Sequence, residues 1–269
     1  MHFDIFNKHY RIFLLHTQYI LQYRLRSFVW MLVGFLSVST LLIFWNANLA
    51  SNPTAYTVSF DEILSYFLLM LVFGNVLISH SEGDIAQIDI YKGELSKYLL
   101  KPIPYIVLKF YGEIVWRLME GFWSILIIAG LFLFGVRLHI STSPQILFLT
   151  FVSSVIGLAL SYIGTVILGL SAIWLTSTKG LFELYEMSLL LFAGYLMPLS
   201  QFSPNFRLIA EYLPFASMVY IPVTIVSGKL SVGESVQWMG IQAIWLLIFY
   251  LLYRMLWKRG VKVFTGAGQ

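Results

Sequence analysis

The sequence contains no cysteine, and it has few charged residues. The missing cysteine excludes disulfide bonds, thiolate catalysis and cysteine-ligated metal sites, although it does not identify the compartment. Only 11% of the 269 residues are charged, whereas 59% are hydrophobic and the mean hydropathy is +0.80. A chain with this composition has too little polar surface to cover a soluble globule. We therefore predict an all-α integral membrane protein.

Several motifs that carry chemistry are absent as well. No GxxxxGK[ST] loop occurs, so we expect no Walker-type nucleotide site in this chain. HExxH, GxSxG and paired intramembrane His/Asp motifs are also missing, which weighs against an enzyme. His2, His9 and His16 recur every seven residues, whereas metal ligands on a helix usually lie three or four apart. We therefore expect a polar helix face here and no metal or cofactor in this chain.

Long apolar runs predict the membrane crossings. About 20 apolar residues are needed to cross a hydrocarbon core of about 30 Å. The sequence predicts six transmembrane helices, at 28–45, 63–78, 114–134, 147–174, 182–200 and 236–255. Because the first run is long enough to span, we expect it to stay in the membrane and not to be a cleaved signal. The predicted turn between the first two spans contains Asn52-Pro53, and 1–26 mixes basic with aromatic residues, as expected of an amphipathic elbow helix in the interface.

The distribution of basic residues predicts the orientation. With six spans, all of the 17 Lys and Arg residues except Arg137, Arg207 and Lys229 fall on one side. That side is the cytoplasm, so we expect both termini there. A full crossing by the proline-broken stretch 203–228 would place the C-terminal basic cluster outside. We therefore predict that 203–228 forms short re-entrant helices between spans five and six.

A polar connector at 81–100 separates spans two and three. Interpreted as a helix that Gly93 divides into two short pieces, it has one apolar face. The residues of that face are Ile85, Ile88, Tyr91, Leu95 and Leu99. Such a segment can lie on lipid headgroups or fill a groove on a soluble partner. A solvated loop helix without a partner is the third interpretation.

Two further patterns lie on predicted spans. Lys109, Glu113, Arg117 and Glu120 fall on one side of the helix that follows Pro104. They predict either a structural ion-pair ladder or a polar wall of a transport path. A second stripe consists of small residues, which allow close helix packing in lipid. Its members are Ser154, Gly157, Ser161, Gly164 and Ser171.

Four segments together suggest a family. They are IYKGELSKYLLKPIPY, FAGYLMPLSQFSP, LPFASMVYIPVTIVSGKLS and LWKRGVKVFTGAGQ. Their order along most of the chain resembles the permeases of type-2 ATP-binding-cassette (ABC) exporters, in the six-span branch of about 260 residues.

The resemblance implies a permease that works as a pair in the cytoplasmic (inner) membrane of a prokaryote, together with a second copy or a homologous permease chain and membrane lipid. Two separate cytoplasmic ATPase subunits would bind ATP and Mg, and no nucleic acid is implied. The connector would be the coupling helix that enters a groove on the ATPase, and 203–228 would close the exit. The implied coupling residues are Ile88, Asp89, Tyr91, Lys92, Gly93, Glu94 and Leu95, and the implied outer-gate residues are Pro198, Pro204, Pro214 and Pro222.

Two other functions remain open from the residues. A transporter driven by an ion gradient would need midplane acids or an inverted repeat with broken helices, and no such repeat is evident. A membrane enzyme acting on lipids would use Glu113 or Glu120 as a general acid or base. An apolar, aromatic-rich lining is compatible with a hydrophobic or amphipathic substrate such as a drug, lipid, lipopeptide or glycan precursor, and the same composition could equally reflect helices that face lipid.

Overall fold

A computed structural model describes residues 2–51 and 58–265, and this part of the chain is helical with no β-strand. The helices are α1 (His2–Gln22), α2 (Arg24–Ser51), α3 (Phe60–Leu77), α4 (Glu82–Asp84), α5 (Leu95–Leu99), α6 (Tyr105–Leu133), α7 (Pro144–Leu170), α8 (Lys179–Phe192), α9 (Pro204–Tyr212), α10 (Pro214–Met218), α11 (Tyr220–Val226) and α12 (Val232–Val263). A π-helical segment, Ile85–Ile90, follows α4, and short 3-10 turns at Ser171–Ile173 and Leu199–Gln201 follow α7 and α8. The prediction of an all-α protein is confirmed for the described residues.

Five helical stretches in the described part are long and apolar enough to cross a membrane. They are Arg24–Ser51, Phe60–Ile90, Tyr105–Leu133, Pro144–Ile173 and Val232–Val263. The predicted span 182–200 differs, because α8 has 14 residues and ends at Phe192. The chain leaves the helix at Gly194, whose φ is 84° and whose carbonyl accepts a 2.7 Å hydrogen bond from Tyr66. The six-span layout therefore stays a prediction.

The amino-terminal helix α1 lies along the first half of α6. His9 Nδ1 and the Tyr111 hydroxyl are 2.6 Å apart, and the His16 ring covers Gly112. α2 begins after the single turn residue Tyr23, as an elbow helix requires, but it continues through Ser51 and so overruns the turn predicted from residue 46 onward. The reason is local, because no glycine or proline interrupts 46–51. The Asn52-Pro53 part of that turn lies outside the described residues.

The small residues of α7 allow neighbouring elements to approach closely. Gly157 lies against the backbone carbonyl of Met218 at the end of α10, and Gly164 lies against the ring of Phe249 in α12. The third predicted packing residue, Ser161, accepts a 2.8 Å hydrogen bond from the backbone N–H of Ser79, just after α3. The stripe therefore contacts three different parts of the chain.

Prolines divide the segment between α8 and α12. Pro204 and Pro214 occupy the first positions of α9 and α10, where a missing N–H is tolerated, while Pro198 precedes a 3-10 turn and Pro222 lies in α11. The segment contains three short helices, whereas the sequence predicted two broken pieces. α10 and α11 pack against α7 and α3, and almost all of their side chains are buried in the core.

Candidate functional site

The connector between α3 and α6 is not one helix. α3 ends at Leu77, and helical structure resumes at Glu82 and continues through the π-helical segment to Ile90. Gly93, with a φ of 75°, lies in the turn before α5. A π-helical segment adds a residue to one turn, so it rotates the following side chains away from the face that α-helical spacing predicts.

Part of the predicted coupling face is buried within this chain. Ile85, Ile90 and Leu95 are almost fully covered, in a hydrophobic cluster with residues of α6, α7 and α12. Asp89 and Gly93 are buried as well. Insertion of Asp89, Gly93 and Leu95 into an ATPase groove stays a prediction, and it would require the connector to rearrange. In this conformation the apolar stripe of the connector packs on residues of α6, α7 and α12, because burial removes apolar surface of both from water.

The other predicted coupling residues lie at the surface. Ile88 is 37% exposed, and Lys92 is exposed beside it. Tyr91 is half-buried, and its hydroxyl donates a 2.9 Å hydrogen bond to the carbonyl of Leu175. Sequence reasoning did not select Leu100, which is 88% exposed. Its signal was an apolar residue placed directly before the Lys-Pro stop. We call Gln87, Ile88, Lys92, Leu99 and Leu100 the docking face; all five are exposed.

An exposed ion pair accompanies this face. Lys97 Nζ lies 2.7 Å from Glu94 Oε1 within the connector itself. The hydrogen bond from Lys97 lowers the pKa of the Glu94 carboxyl below its usual value. Because both side chains are open to solvent, the pair contributes little to stability.

A buried ion pair joins the connector to α6. Lys109 Nζ lies 2.6 Å from Asp89 Oδ2, and the Tyr105 hydroxyl donates a 2.5 Å hydrogen bond to the same oxygen. The ladder predicted Lys109 beside Glu113, yet the lysine pairs with the connector instead. The sequence offered no signal for this pairing, because Asp89 was assigned to the outward face.

Arg117 organises the rest of the charged row. Its guanidinium lies 2.9 Å from Glu113 and 2.9 Å from Glu120, and only 3% of its side chain is exposed. Nη1 also donates to the backbone carbonyls of Ile78, at 2.6 Å, and Asn75, at 3.3 Å. These carbonyls belong to the end of α3, where no helical partner remains. The arginine therefore caps one helix while it neutralises two acids of another.

The non-helical stretch after α3 is lined by hydroxyl groups. The side chains of Ser79, Ser81 and Thr165 are hydrogen-bonded to one another at distances of 2.9 to 3.3 Å. The backbone N–H of Ser79 donates to the Ser161 hydroxyl at 2.8 Å, because a buried N–H without a helical partner needs another acceptor. Glu82 follows directly and is buried, and sequence reasoning did not select it as a site residue. Within the described ranges, no group of three or more His, Asp or Glu side chains is arranged to hold a metal ion.

Comparison with known families identifies the class of protein. The family model described as ABC-2 family transporter protein matches residues 28–268, so the chain belongs to that family. The match confirms the resemblance to type-2 ABC permeases. Searches of curated proteins and of solved structures give no significant match.

The chain is therefore a multi-pass membrane protein and the permease subunit of an ABC transporter, a class that works with an ATPase partner. A permease of this family is a transport subunit and does not itself hydrolyse nucleotide.

Proposed function

We propose that this permease exports a hydrophobic or amphipathic substrate from the cytoplasm by alternating access. Two permease chains and two cytoplasmic ATPase subunits would form the complex in a prokaryotic inner membrane, with both permease termini in the cytoplasm. The observation that carries the proposal is the connector, which is anchored in the permease by one face and leaves a second face exposed. An element that responds to a partner needs both faces.

The docking face has the chemistry of a protein contact. Ile88 and Leu100 of this face expose apolar side chains, and its Lys92 is exposed as well. Exposed apolar anchors together with charged residues are typical of an interface that is desolvated at its centre and polar at its rim. A groove on the ATPase with an apolar floor and an acidic edge would complement this surface.

The substrate path is proposed to lie between two permease chains. The interior formed by α3, α7, α10 and α11 is closely packed; Leu160, Met218 and Val223, for example, are fully buried. A path through one chain would have to displace this core. α2 and α12, in contrast, bury only 11% of their most apolar windows within the chain, so both keep long apolar faces for lipid or a second permease. The prolines at 198, 204, 214 and 222 remain proposed parts of an outer gate.

The charged row of α6 supports a structural role more than a catalytic one. Both Glu113 and Glu120 are paired with Arg117, and Trp116 donates a further 2.8 Å hydrogen bond to Glu120. A general acid or base needs an oxygen that can reach a substrate. These pairings therefore favour helix anchoring over enzyme activity.

The docking proposal predicts which connector substitutions matter. Leu100→Asp and Ile88→Asp should each reduce recovery of the ATPase subunit with the tagged permease at least tenfold, because each places a charge in an apolar contact. Leu208→Asp is the matched control, since it introduces the same charge at another exposed leucine, which lies on α9 and not on the connector. The permease would be purified in lipid nanodiscs. The amount of copurified ATPase subunit and its rate of ATP hydrolysis would then be measured. Unchanged recovery in both connector variants would refute the docking role.

The break after α3, next to buried Glu82, keeps an ion-gradient drive as the second candidate. Discontinuous helices carry ion sites in secondary transporters. Transport that stops with a protonophore but continues after ATP depletion would favour that alternative over the ATP-driven exporter.

A further inference from the structure

One buried ion pair connects the connector to the membrane helices. Asp89 lies on the π-helical segment with its side chain fully buried, and it accepts bonds from Lys109 and Tyr105 of α6. A buried carboxylate is costly unless charged and hydrogen-bonding partners compensate it. These bonds therefore hold the connector at one particular position along α6.

Aromatic contacts extend this pair to α5 and α12. The Lys109 ammonium lies 4.9 Å from the centre of the Tyr98 ring in α5, and Tyr98 packs edge-on against Tyr105. Tyr105 in turn stacks on Trp257 of α12, with ring centres 5.0 Å apart and planes 15° apart. We call Asp89, Tyr98, Tyr105, Lys109 and Trp257 the node. It is a continuous set of contacts from both halves of the connector to two membrane helices.

The chain segment between the connector and α6 does not by itself fix their relative position. Residues 100–104 are non-helical and contain Pro102 and Pro104. Because the helix is interrupted here, no helical hydrogen bonds continue from the connector into α6, and the register between the two depends on side-chain contacts. The exposed pair Glu94–Lys97 joins two residues of the connector to each other and cannot replace the node.

We propose that Asp89 and Lys109 are positioning residues which make the connector, α6 and α12 move together. This inference rests on the proposed function, because it assigns the route by which an ATPase bound at the docking face moves the membrane helices. A buried ion pair suits this role because it fixes one register between two elements, whereas a purely apolar contact allows the elements to slide past each other. Without the pair, the ATPase would move the connector and leave α6 behind.

The absence of cysteine allows a direct test with spin labels. Labels at Ser96→Cys on the connector and Leu118→Cys on α6 report the distance between the two elements by pulsed electron resonance. Both native side chains are exposed. In the otherwise native complex the distance distribution should be the same without nucleotide and with ATP, Mg and vanadate. Asp89→Asn should broaden it or add a second population with nucleotide, by more than about 2 Å, the scale of helix shifts in switching proteins.

Three controls make the result decisive. Lys179→Gln with Glu183→Gln removes an exposed ion pair of α8, in which Nζ and Oε1 lie 3.8 Å apart, and should leave one population. Asp89→Lys with Lys109→Asp restores opposite charges and should return most of the molecules to the native distance, which a loss of packing alone would not do. If Asp89→Asn fails to insert, Lys109→Gln removes the same ion pair from the side of α6, while Tyr105 still donates to Asp89, and the same comparison applies.

The outcomes separate this inference from the proposed function. A single, nucleotide-independent population in Asp89→Asn or Lys109→Gln, with the ATPase still bound, overturns the role of the node and leaves the exporter intact. Failure of any ATPase to copurify with the native chain instead overturns the proposed function.

Discussion

Arg117→Met tests whether the charged row of α6 anchors the end of α3. The substitution keeps most of the side-chain volume but leaves two buried carboxylates, Glu113 and Glu120, without their cation. It also leaves the carbonyl of Ile78 without its 2.6 Å donor. Removal of one partner from a buried pair costs about 3 to 5 kcal/mol, and each orphaned carbonyl adds about 1 to 3 kcal/mol. We expect a large fall in stability.

The assay is unfolding of the purified permease in detergent micelles, followed by tryptophan fluorescence, to which Trp116 beside Glu120 contributes. Arg254→Gln is the matched control, because Arg254 is exposed and, within the described part of the chain, contacts the ring and hydroxyl of Tyr250. Its loss should change the free energy of unfolding by less than about 1 kcal/mol.

Adding Glu113→Gln and Glu120→Gln to Arg117→Met should recover part of the lost stability, because the uncompensated charges are gone. The reasoning fails if Arg117→Met is no less stable than Arg254→Gln. It also fails if neutralising both acids lowers stability further, since the acids would then be stabilised by something other than the arginine.

Of two further predictions, the first tests a close packing contact and the second tests a buried hydrogen bond. Gly157→Ala should destabilise the permease by about 1 to 3 kcal/mol, because the added methyl group would collide with a backbone carbonyl at the end of α10. Gly130→Ala is the matched control; nothing lies near its added methyl group, so a gain of up to about 1 kcal/mol is expected from helix propensity. Tyr66→Phe should cost about 1 to 3 kcal/mol, because the carbonyl of Gly194 loses its buried donor, whereas Tyr10→Phe at the exposed Tyr10 should be neutral. Detergent unfolding measures all four variants, and equal stability within either pair would contradict the corresponding contact.

The side chains of the connector fall into two sets with different surroundings. One set of side chains, with Leu95 and Asp89 as examples, holds it to the membrane helices. Another set, with Ile88 and Leu100, remains available to a partner. In the proposed complex, this division would let a short segment receive a displacement from the ATPase without being pulled out of the permease.

Sequence alone determined the long helices and the membrane location. A helix that crosses a bilayer needs about 20 apolar residues, and such uninterrupted runs can be recognised in the sequence without tertiary information. Prolines marked the starts of α9 and α10 for an equally local reason, since a residue without an N–H fits best in a first turn. The ordered Gly and Pro patterns also sufficed for the family, as the match over 28–268 confirms.

Tertiary structure decided which faces are used. The periodicity of the connector identified an apolar stripe but not what covers it, and in the folded chain residues of α6, α7 and α12 cover Leu95. Likewise, spacing on α6 predicted that Lys109 would pair within its own helix, whereas the buried carboxylate of Asp89 offers it a closer partner from another element. Helical spacing describes only neighbours along one helix. Pairings across elements depend on how the helices pack, and the sequence carries no direct record of that arrangement.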